Sequence, residues 1–275
     1  MKAIPIVLLL LFCSSGLVGA PPSGTILVDK EELSYQVKWT SFSAGQIELS
    51  TTKMEGGAAA PYEIRLTAKT NSFVSMFYRV ENLVLSHVAA DSFKSLYYYK
   101  NIRQGRRNIE EKSTFDYAGN VIHFSRQNLG VKNESAGLQE FPMGSANLLL
   151  QDPLSLIYCL RTLEFRKPGD EQQMQVFADK GIYELRFKFL GEESISTASF
   201  GTKNVLHVKP TAIYRGAFVD DGELELWLDQ STRIPLRMKF SIPVGWATLE
   251  LTTSSHPELQ PVPARSWRHS GGRFK

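Results

Sequence analysis

This sequence has few cysteines and no large excess of either charge. Only two of its 275 residues are cysteines, and 31 Lys and Arg residues stand against 28 Asp and Glu. A chain of this length buries about 70–75% of the surface that it exposes when unfolded, so its core needs neither disulfides nor a structural metal. A dedicated nucleic-acid-binding protein would carry a broad basic face. The charge balance therefore argues against nucleic acid as a partner.

Motifs of the common catalytic and metal sites are also missing. The sequence holds no His-Glu-x-x-His, Cys-x-x-Cys or Gly-x-Ser-x-Gly, and no glycine-rich phosphate loop ahead of a helix. Its five histidines are too widely spaced to form a local metal pair. We therefore expect a protein that is not an enzyme and that uses no metal or cofactor. A catalytic triad assembled from distant residues stays open, because triads are recognised by geometry.

The first 20 residues have the features of a secretory signal peptide. Lys2 supplies a positive start, and the apolar run at residues 4–12 is too short to cross a hydrocarbon core of about 30 Å as a helix. Small residues fit cleavage after Ala20. Cys13 follows Phe12, where a lipoprotein signal has a small residue. The sequence predicts a soluble exported protein with no transmembrane segment after cleavage.

Export decides the state of the remaining cysteine. Cys159 is then the only cysteine in an oxidising compartment, so an intramolecular disulfide is impossible and a buried free thiol is the favoured interpretation. A catalytic nucleophile and an intermolecular disulfide are the alternatives.

Residues 255–275 are rich in proline, glycine and basic side chains, which predicts a disordered basic tail behind a single domain at residues 21–254.

Apolar and polar residues alternate along many segments. Leu33, Tyr35, Val37 and Trp39 alternate with polar residues, and residues 62–69, 183–189 and 224–229 repeat the pattern. This period is typical of antiparallel strands with one solvated face. Turn signals such as those at residues 179–181 and 220–222 separate the strands. The sequence predicts a mainly β fold, a single curved antiparallel sheet or open barrel built as a meander.

One segment has a helical pattern instead. Asp152 can cap a helix that begins at Pro153, and Pro168-Gly169 ends the pattern. Four apolar side chains share one arc of this helix: Leu156, Ile157, Leu160 and Leu163. We expect an amphipathic helix from Asp152 to about Arg166, packed in the concavity of the sheet. The preceding residues 131–145 are predicted to form a surface loop.

Several motifs in order along the chain resemble one family. They include Leu33-x-Tyr35-x-Val37-x-Trp39, Gln104-Gly105-Arg106-Arg107, Asp152-Pro153-Leu154-Ser155 through Tyr158 to Arg161, and Trp227-Leu228-Asp229. The chain resembles the bacterial exported proteins of the domain of unknown function 3108 family. The resemblance implies an envelope-associated Gram-negative protein, in the periplasm or at the periphery of the outer membrane. It implies no reaction, cofactor or ligand.

Eight residues are candidates for ligand binding. Tyr35 and Trp39 would line the mouth of a cavity, and the arginines of the β-hairpin would bind a negative head group. The other candidates lie in the motifs that carry the resemblance. The full set is Tyr35, Trp39, Arg103, Arg106, Arg107, Asp152, Tyr158 and Arg161. For each aromatic residue an ordinary core position is the alternative, and for Arg103, Arg106 and Arg107 a solvated hairpin tip.

The favoured hypothesis is a non-enzymatic envelope protein that binds a lipid or a lipid-linked glycan in its curved sheet. The alternative is a structural or assembly protein that acts through contacts with an envelope protein, and a hydrolase is the third hypothesis. An apolar cavity of about 300 Å³ or more would favour ligand binding, whereas a filled interior would favour protein contacts.

Overall fold

The computed structural model describes residues 27–130, 135–144, 149–212, 224–241 and 245–262. These residues form two short α-helices, α1 (Ser72–Ser75) and α2 (Ser155–Cys159), and fifteen strands. The strands are β1 (Lys30–Trp39), β2 (Phe42–Lys53), β3 (Tyr62–Thr70), β4 (Val80–Val88), β5 (Ser95–Gln104), β6 (Arg107–Asp116), β7 (Val121–Asn128), β8 (Ser135–Pro142), β9 (Leu150–Gln151), β10 (Glu171–Ala178), β11 (Gly181–Thr197), β12 (Gly201–Ala212), β13 (Leu224–Asp229), β14 (Pro235–Ser241) and β15 (Trp246–Ser254). Neither helix is long and apolar enough to cross a membrane.

All fifteen strands belong to one sheet, which is a meander on each side of β1. From β1 the sheet runs through β2 to β8 at one edge, and through β15 back to β9 at the other edge. Neighbouring strands are antiparallel except for the short parallel pair β9 and β10. At the seam between the edges, the rings of Phe141 on β8 and Phe177 on β10 lie 5.5 Å apart between centroids. The predicted open barrel with a single antiparallel sheet is confirmed.

The helix in the concavity is shorter than the sequence predicts. α2 spans Ser155–Cys159 and continues as a 3₁₀ turn over Leu160–Thr162, so it begins after the predicted start at Pro153 and ends before Arg166. Leu163 then adopts an extended backbone. This extended course brings Phe165 to β11, where its ring stacks on Phe189 with 5.2 Å between centroids. Packing of this aromatic pair therefore replaces the last turns of the predicted helix.

Two further predictions need correction. The predicted loop at residues 131–145 contains β8, which pairs with β7. Part of the predicted tail packs on the domain, because Leu259 is fully buried in the core and the Val262 N–H donates to the Ser199 carbonyl over 2.7 Å. The signal peptide, the turn at residues 220–222 and residues 263–275 lie outside the described residues.

The loops at one end of the barrel form a surface that we call the mouth rim. It consists of the β1–β2 turn (residues 40–41), the β3–β4 connection (residues 71–79) and the β5–β6 turn (residues 105–106), with the strand ends beside them. Backbone hydrogen bonds join these loops, from Asn71 to Ala44 over 3.0 Å and from Gly105 to Arg79 over 2.9 Å. The three loops therefore keep a fixed arrangement.

Gly45, on β2 below the mouth rim, permits a close approach of β2 and β3. A Cβ at this position would lie 2.2 Å from the Lys69 carbonyl oxygen. We expect Gly45→Ala to lower the free energy of unfolding by about 1–3 kcal/mol, because the two backbones must separate. Urea denaturation measures this loss. The control is Gly137→Ala on β8, where nothing lies within 4 Å and the change should stay within about 0.5 kcal/mol; equal losses would contradict the account.

Candidate functional site

Asp152 anchors the start of the α2 segment to the sheet. Its carboxylate is fully buried, and one oxygen accepts the backbone N–H groups of Leu154 and Ser155 over 2.8 and 2.9 Å. The other oxygen accepts the hydroxyl groups of Ser86 on β4 and Ser95 on β5, each over 2.6 Å. The carboxylate therefore holds the first turn, as its predicted capping role requires, and ties it to two strands.

Burial of this carboxylate predicts a specific pH dependence. Desolvation raises the pKa of Asp152 above its ordinary value, although the four hydrogen bonds oppose the rise. The folded state then holds this proton more tightly than the unfolded state, so the contribution of Asp152 to stability falls as the pH rises above about 4. As the pH rises above about 4, the free energy of unfolding of the wild-type protein should therefore fall relative to that of Asp152→Asn. Urea titrations at several pH values measure both free energies of unfolding. A wild-type value that rises with pH relative to the value of the variant would contradict the assignment.

Arg161 anchors the other end of the segment. Its guanidinium forms a bidentate ion pair with Glu31 on β1, with N to O distances of 2.8 and 3.1 Å. Only 4% and 1% of the two side chains are exposed. The guanidinium also lies 5.3 Å from the ring centroid of Tyr158, and burial raises the pKa of the Tyr35 and Tyr158 hydroxyl groups. This cluster is closed to solvent and fixes α2 inside the barrel.

Cys159, on α2, is buried beside these anchors. Burial raises the pKa of its thiol to about 12. A thiol with this pKa is almost entirely protonated at neutral pH and is a poor nucleophile. The favoured interpretation of a buried free thiol therefore agrees with its surroundings.

The eight predicted ligand-binding residues do not form one site. Tyr35, Asp152, Tyr158 and Arg161 are buried in the interior around α2. Trp39 and Arg103 lie at strand ends of the mouth rim, and Arg106 and Arg107 lie on the β5–β6 turn or beside it. The motifs around Asp152 and Arg161 thus hold the fold together, and the residues that solvent reaches lie at the mouth rim.

Large apolar side chains project from the mouth rim. Phe42, Phe73, Met76 and Phe77 are exposed to 76%, 66%, 70% and 79%. The loop that carries three of them is rigidly held by Asn71, whose Oδ1 accepts the Val74 N–H over 2.9 Å and whose Nδ2 donates to the Ser43 carbonyl over 2.6 Å. Their exposure therefore belongs to an ordered loop.

Basic side chains flank these apolar residues. Lys69, Arg79 and Arg103 surround Glu81, and the hydrogen bond from Arg79 and the charges of all three lower the pKa of the Glu81 carboxyl. Arg106 and Arg107 follow on the neighbouring turn. Three cations thus stand beside one carboxylate, and two further arginines lie on the next turn, which leaves this side of the mouth rim positively charged.

The inner face of the barrel below the rim is apolar on one side and charged on the other. Its half-buried apolar side chains are Val37, Ile47, Leu66, Val84, Leu224, Met238 and Phe240. On the charged side the buried Glu111 carboxylate lies 2.6 Å from Lys100 Nζ and 2.9 Å from Arg126 Nε. These three residues pair directly across β5, β6 and β7.

Sequence reasoning missed both the apolar projections and this charged row. The signal for the first was Phe73, Met76 and Phe77 within a connection between two strands, where exposed side chains are usually polar. No signal identified the second, because the alternation around Lys100 and Glu111 does not show which face of each strand points inward.

Comparisons with known proteins give this chain a family and a likeness of fold. No curated protein is significantly similar to it. A solved structure, the beta-barrel-like protein of domain of unknown function DUF1849 from Brucella abortus, matches with a TM-score of 0.53 and 10% identity over 82% of this chain and 97% of that chain. At this identity the likeness shows the fold alone. The model of the family described as Protein of unknown function (DUF3108) matches residues 34–252, and the chain belongs to that family.

Proposed function

We propose that this protein is a non-enzymatic envelope protein that binds anionic lipid, or the lipid portion of an anionic glycolipid, through the mouth rim. It is exported and acts in the periplasm or at the periphery of the outer membrane. The observation that carries the proposal is the set of exposed apolar side chains at Phe42, Phe73, Met76 and Phe77 beside a cluster of arginines.

The physical chemistry of a lipid surface matches this composition. Exposed apolar patches commonly mark contact sites, and segments that lie in a membrane interface bury phenylalanine and leucine side chains at the boundary between head groups and acyl chains. Each basic side chain near an anionic surface contributes about 1 kcal/mol at low ionic strength. Apolar tips with flanking arginines therefore favour a negatively charged lipid surface over a neutral one.

The position of α2 moves the proposed lipid site from the concavity to the mouth. The interior that the sequence suggested for a ligand is occupied by Leu156, Tyr158 and Leu160, which are buried in the core. The half-buried apolar residues of the inner face, such as Met238 and Phe240, lie at the mouth. Once the rim meets a lipid surface, these residues face the lipid.

Flotation with lipid vesicles tests the proposal. The protein should float with vesicles of phosphatidylglycerol in phosphatidylcholine, and bind pure phosphatidylcholine vesicles at least about tenfold more weakly. Raising NaCl from about 50 to about 500 mM should weaken the binding, since salt screens the arginines. Equal binding to both vesicle types, or binding to neither, would overturn the proposal.

Two observations favour the alternative of an envelope assembly protein. The first is the filled interior, since the side chains of α2 occupy the concavity. The second is an edge strand. Among the described residues β8 pairs only with β7, and Leu138 on β8 is 68% exposed. An edge strand of this kind can pair with an extended segment of another protein. Under this alternative, Leu138→Lys would abolish capture of a partner protein, and the flotation experiment would show no binding.

A further inference from the structure

A groove of about 340 Å³ lies on the outer face of the sheet, next to the mouth rim. It is lined by Gln36, Ser43, Gly45, Gln46, Lys69, Thr70, Asn71 and Thr252. Seven of these eight residues carry a polar side chain, and only Lys69 carries a charge. The groove therefore differs in chemistry from the apolar projections of the mouth rim, although it shares Asn71 with the rim loops and Lys69 with their basic flank.

The floor of the groove is a row of residues paired across three strands. Gln36 on β1 pairs with Gln46 on β2, and Gln46 pairs with Lys69 on β3. Their side chains point outward, because Tyr35 and Val37 on either side of Gln36 face the core. Within the part of the chain that the structure describes, both glutamine amides make only long hydrogen bonds, from Gln36 Nε2 to Ser43 Oγ over 3.4 Å and from Gln46 Nε2 to Glu48 Oε1 over 3.3 Å. These weak bonds leave the amides able to exchange partners.

The walls of the groove are preformed. Asn71 is fixed by the bonds to Val74 and Ser43 that hold the rim loop. Thr252 Oγ1 donates to the Ser34 carbonyl over 2.9 Å. A ligand would therefore meet an ordered site and pay little ordering entropy in binding.

We propose that this groove binds an oligosaccharide. Each sugar hydroxyl group donates and accepts hydrogen bonds, and an amide group, such as that of Gln36 or Gln46, offers both a donor and an acceptor. Lys69 would contact an acidic or phosphorylated substituent.

This inference goes beyond lipid binding and does not depend on it. A soluble oligosaccharide has no acyl chain, and phosphatidylglycerol has no oligosaccharide. Neutral maltotriose therefore tests the groove alone, whereas an anionic probe can also meet the cations of the mouth rim, to which Lys69 belongs. If both sites bind, a lipid-linked glycan satisfies them together, with its acyl chains at the mouth rim and its sugars in the groove.

Saturation-transfer NMR on the full protein tests the groove with two probes, neutral maltotriose and an anionic heparin tetrasaccharide. At least one should bind, and Gln36→Ala/Gln46→Ala should weaken its binding at least about tenfold, because the floor loses both amides. Lys69→Ala should weaken only the anionic probe. Gln127→Ala, at an exposed site on the outer face of β7, is the matched control and should change nothing.

Three results would overturn the inference. The first is that neither probe binds. The second is that binding survives in the double glutamine variant. The third is that only the heparin tetrasaccharide binds and that every variant, the control included, weakens its binding equally. Circular dichroism confirms that the exposed substitutions leave the fold intact, so loss of binding in the double variant reports on the groove.

Discussion

Replacing Arg161 by methionine should lower the free energy of unfolding by about 3–5 kcal/mol, because the change leaves the Glu31 carboxylate buried without its partner. The two side chains are almost completely buried, and the pair joins β1 to a segment 130 positions later in the chain. An uncompensated charge in such a place must either stay desolvated or take up a proton. Both outcomes destabilise the folded state.

Two matched variants separate this effect from a simple loss of packing. The double variant Glu31→Leu/Arg161→Met should recover much of the stability, since an apolar pair of similar volume often replaces a buried ion pair at little cost. Arg65→Met breaks a more exposed ion pair with Glu63, at 45% and 25% exposure, and should cost less than about 1 kcal/mol. Urea denaturation measures all three. A loss for Arg161→Met no larger than that for Arg65→Met would show that the pair does not anchor α2.

The triple substitution Phe42→Ser/Phe73→Ser/Phe77→Ser should weaken binding to phosphatidylglycerol vesicles at least about 30-fold. A fully buried phenylalanine contributes about 1.5–3 kcal/mol, and partial insertion of three rings gives roughly 2–4 kcal/mol. Every 1.4 kcal/mol is a factor of about ten in the dissociation constant. The free energy of unfolding should hardly change, because all three rings are exposed in the free protein.

A matched control removes equal numbers of exposed apolar side chains elsewhere. Met54, Leu190 and Val262 are exposed to 36%, 40% and 51% and lie outside the mouth rim. Substitution of all three by serine should leave vesicle binding unchanged. If this control weakens binding as much as the rim variant does, binding depends on general hydrophobicity and the rim is not the site.

The sequence predicts the architecture well because sheet formation leaves a local signal. Leu33, Tyr35 and Val37 alternate with polar residues, and the alternation alone states that one face of β1 is buried. The capping position of Asp152 is likewise readable from the proline that follows it. Both features depend on neighbours within a few residues.

The parts that the sequence does not reveal depend on contacts between distant residues. Ser86 and Ser95 hold Asp152 from two strands, and Glu31 meets Arg161 across the barrel. Strand register decides such contacts, and no short pattern encodes it. For the same reason Asp152 and Arg161 were candidates for ligand binding, although the fold turns them inward as anchors of α2.

Hydrogen–deuterium exchange with and without phosphatidylglycerol vesicles tests the central claim most directly, because it locates the contact without any substitution. The account predicts slower exchange in residues 40–43 and 71–79 of the mouth rim when vesicles are present. The loops at the opposite end, residues 54–61 and 89–94, should exchange at the same rate in both samples. Protection of the opposite end, or unchanged exchange at the mouth rim under conditions where the protein floats with the vesicles, would contradict the claim.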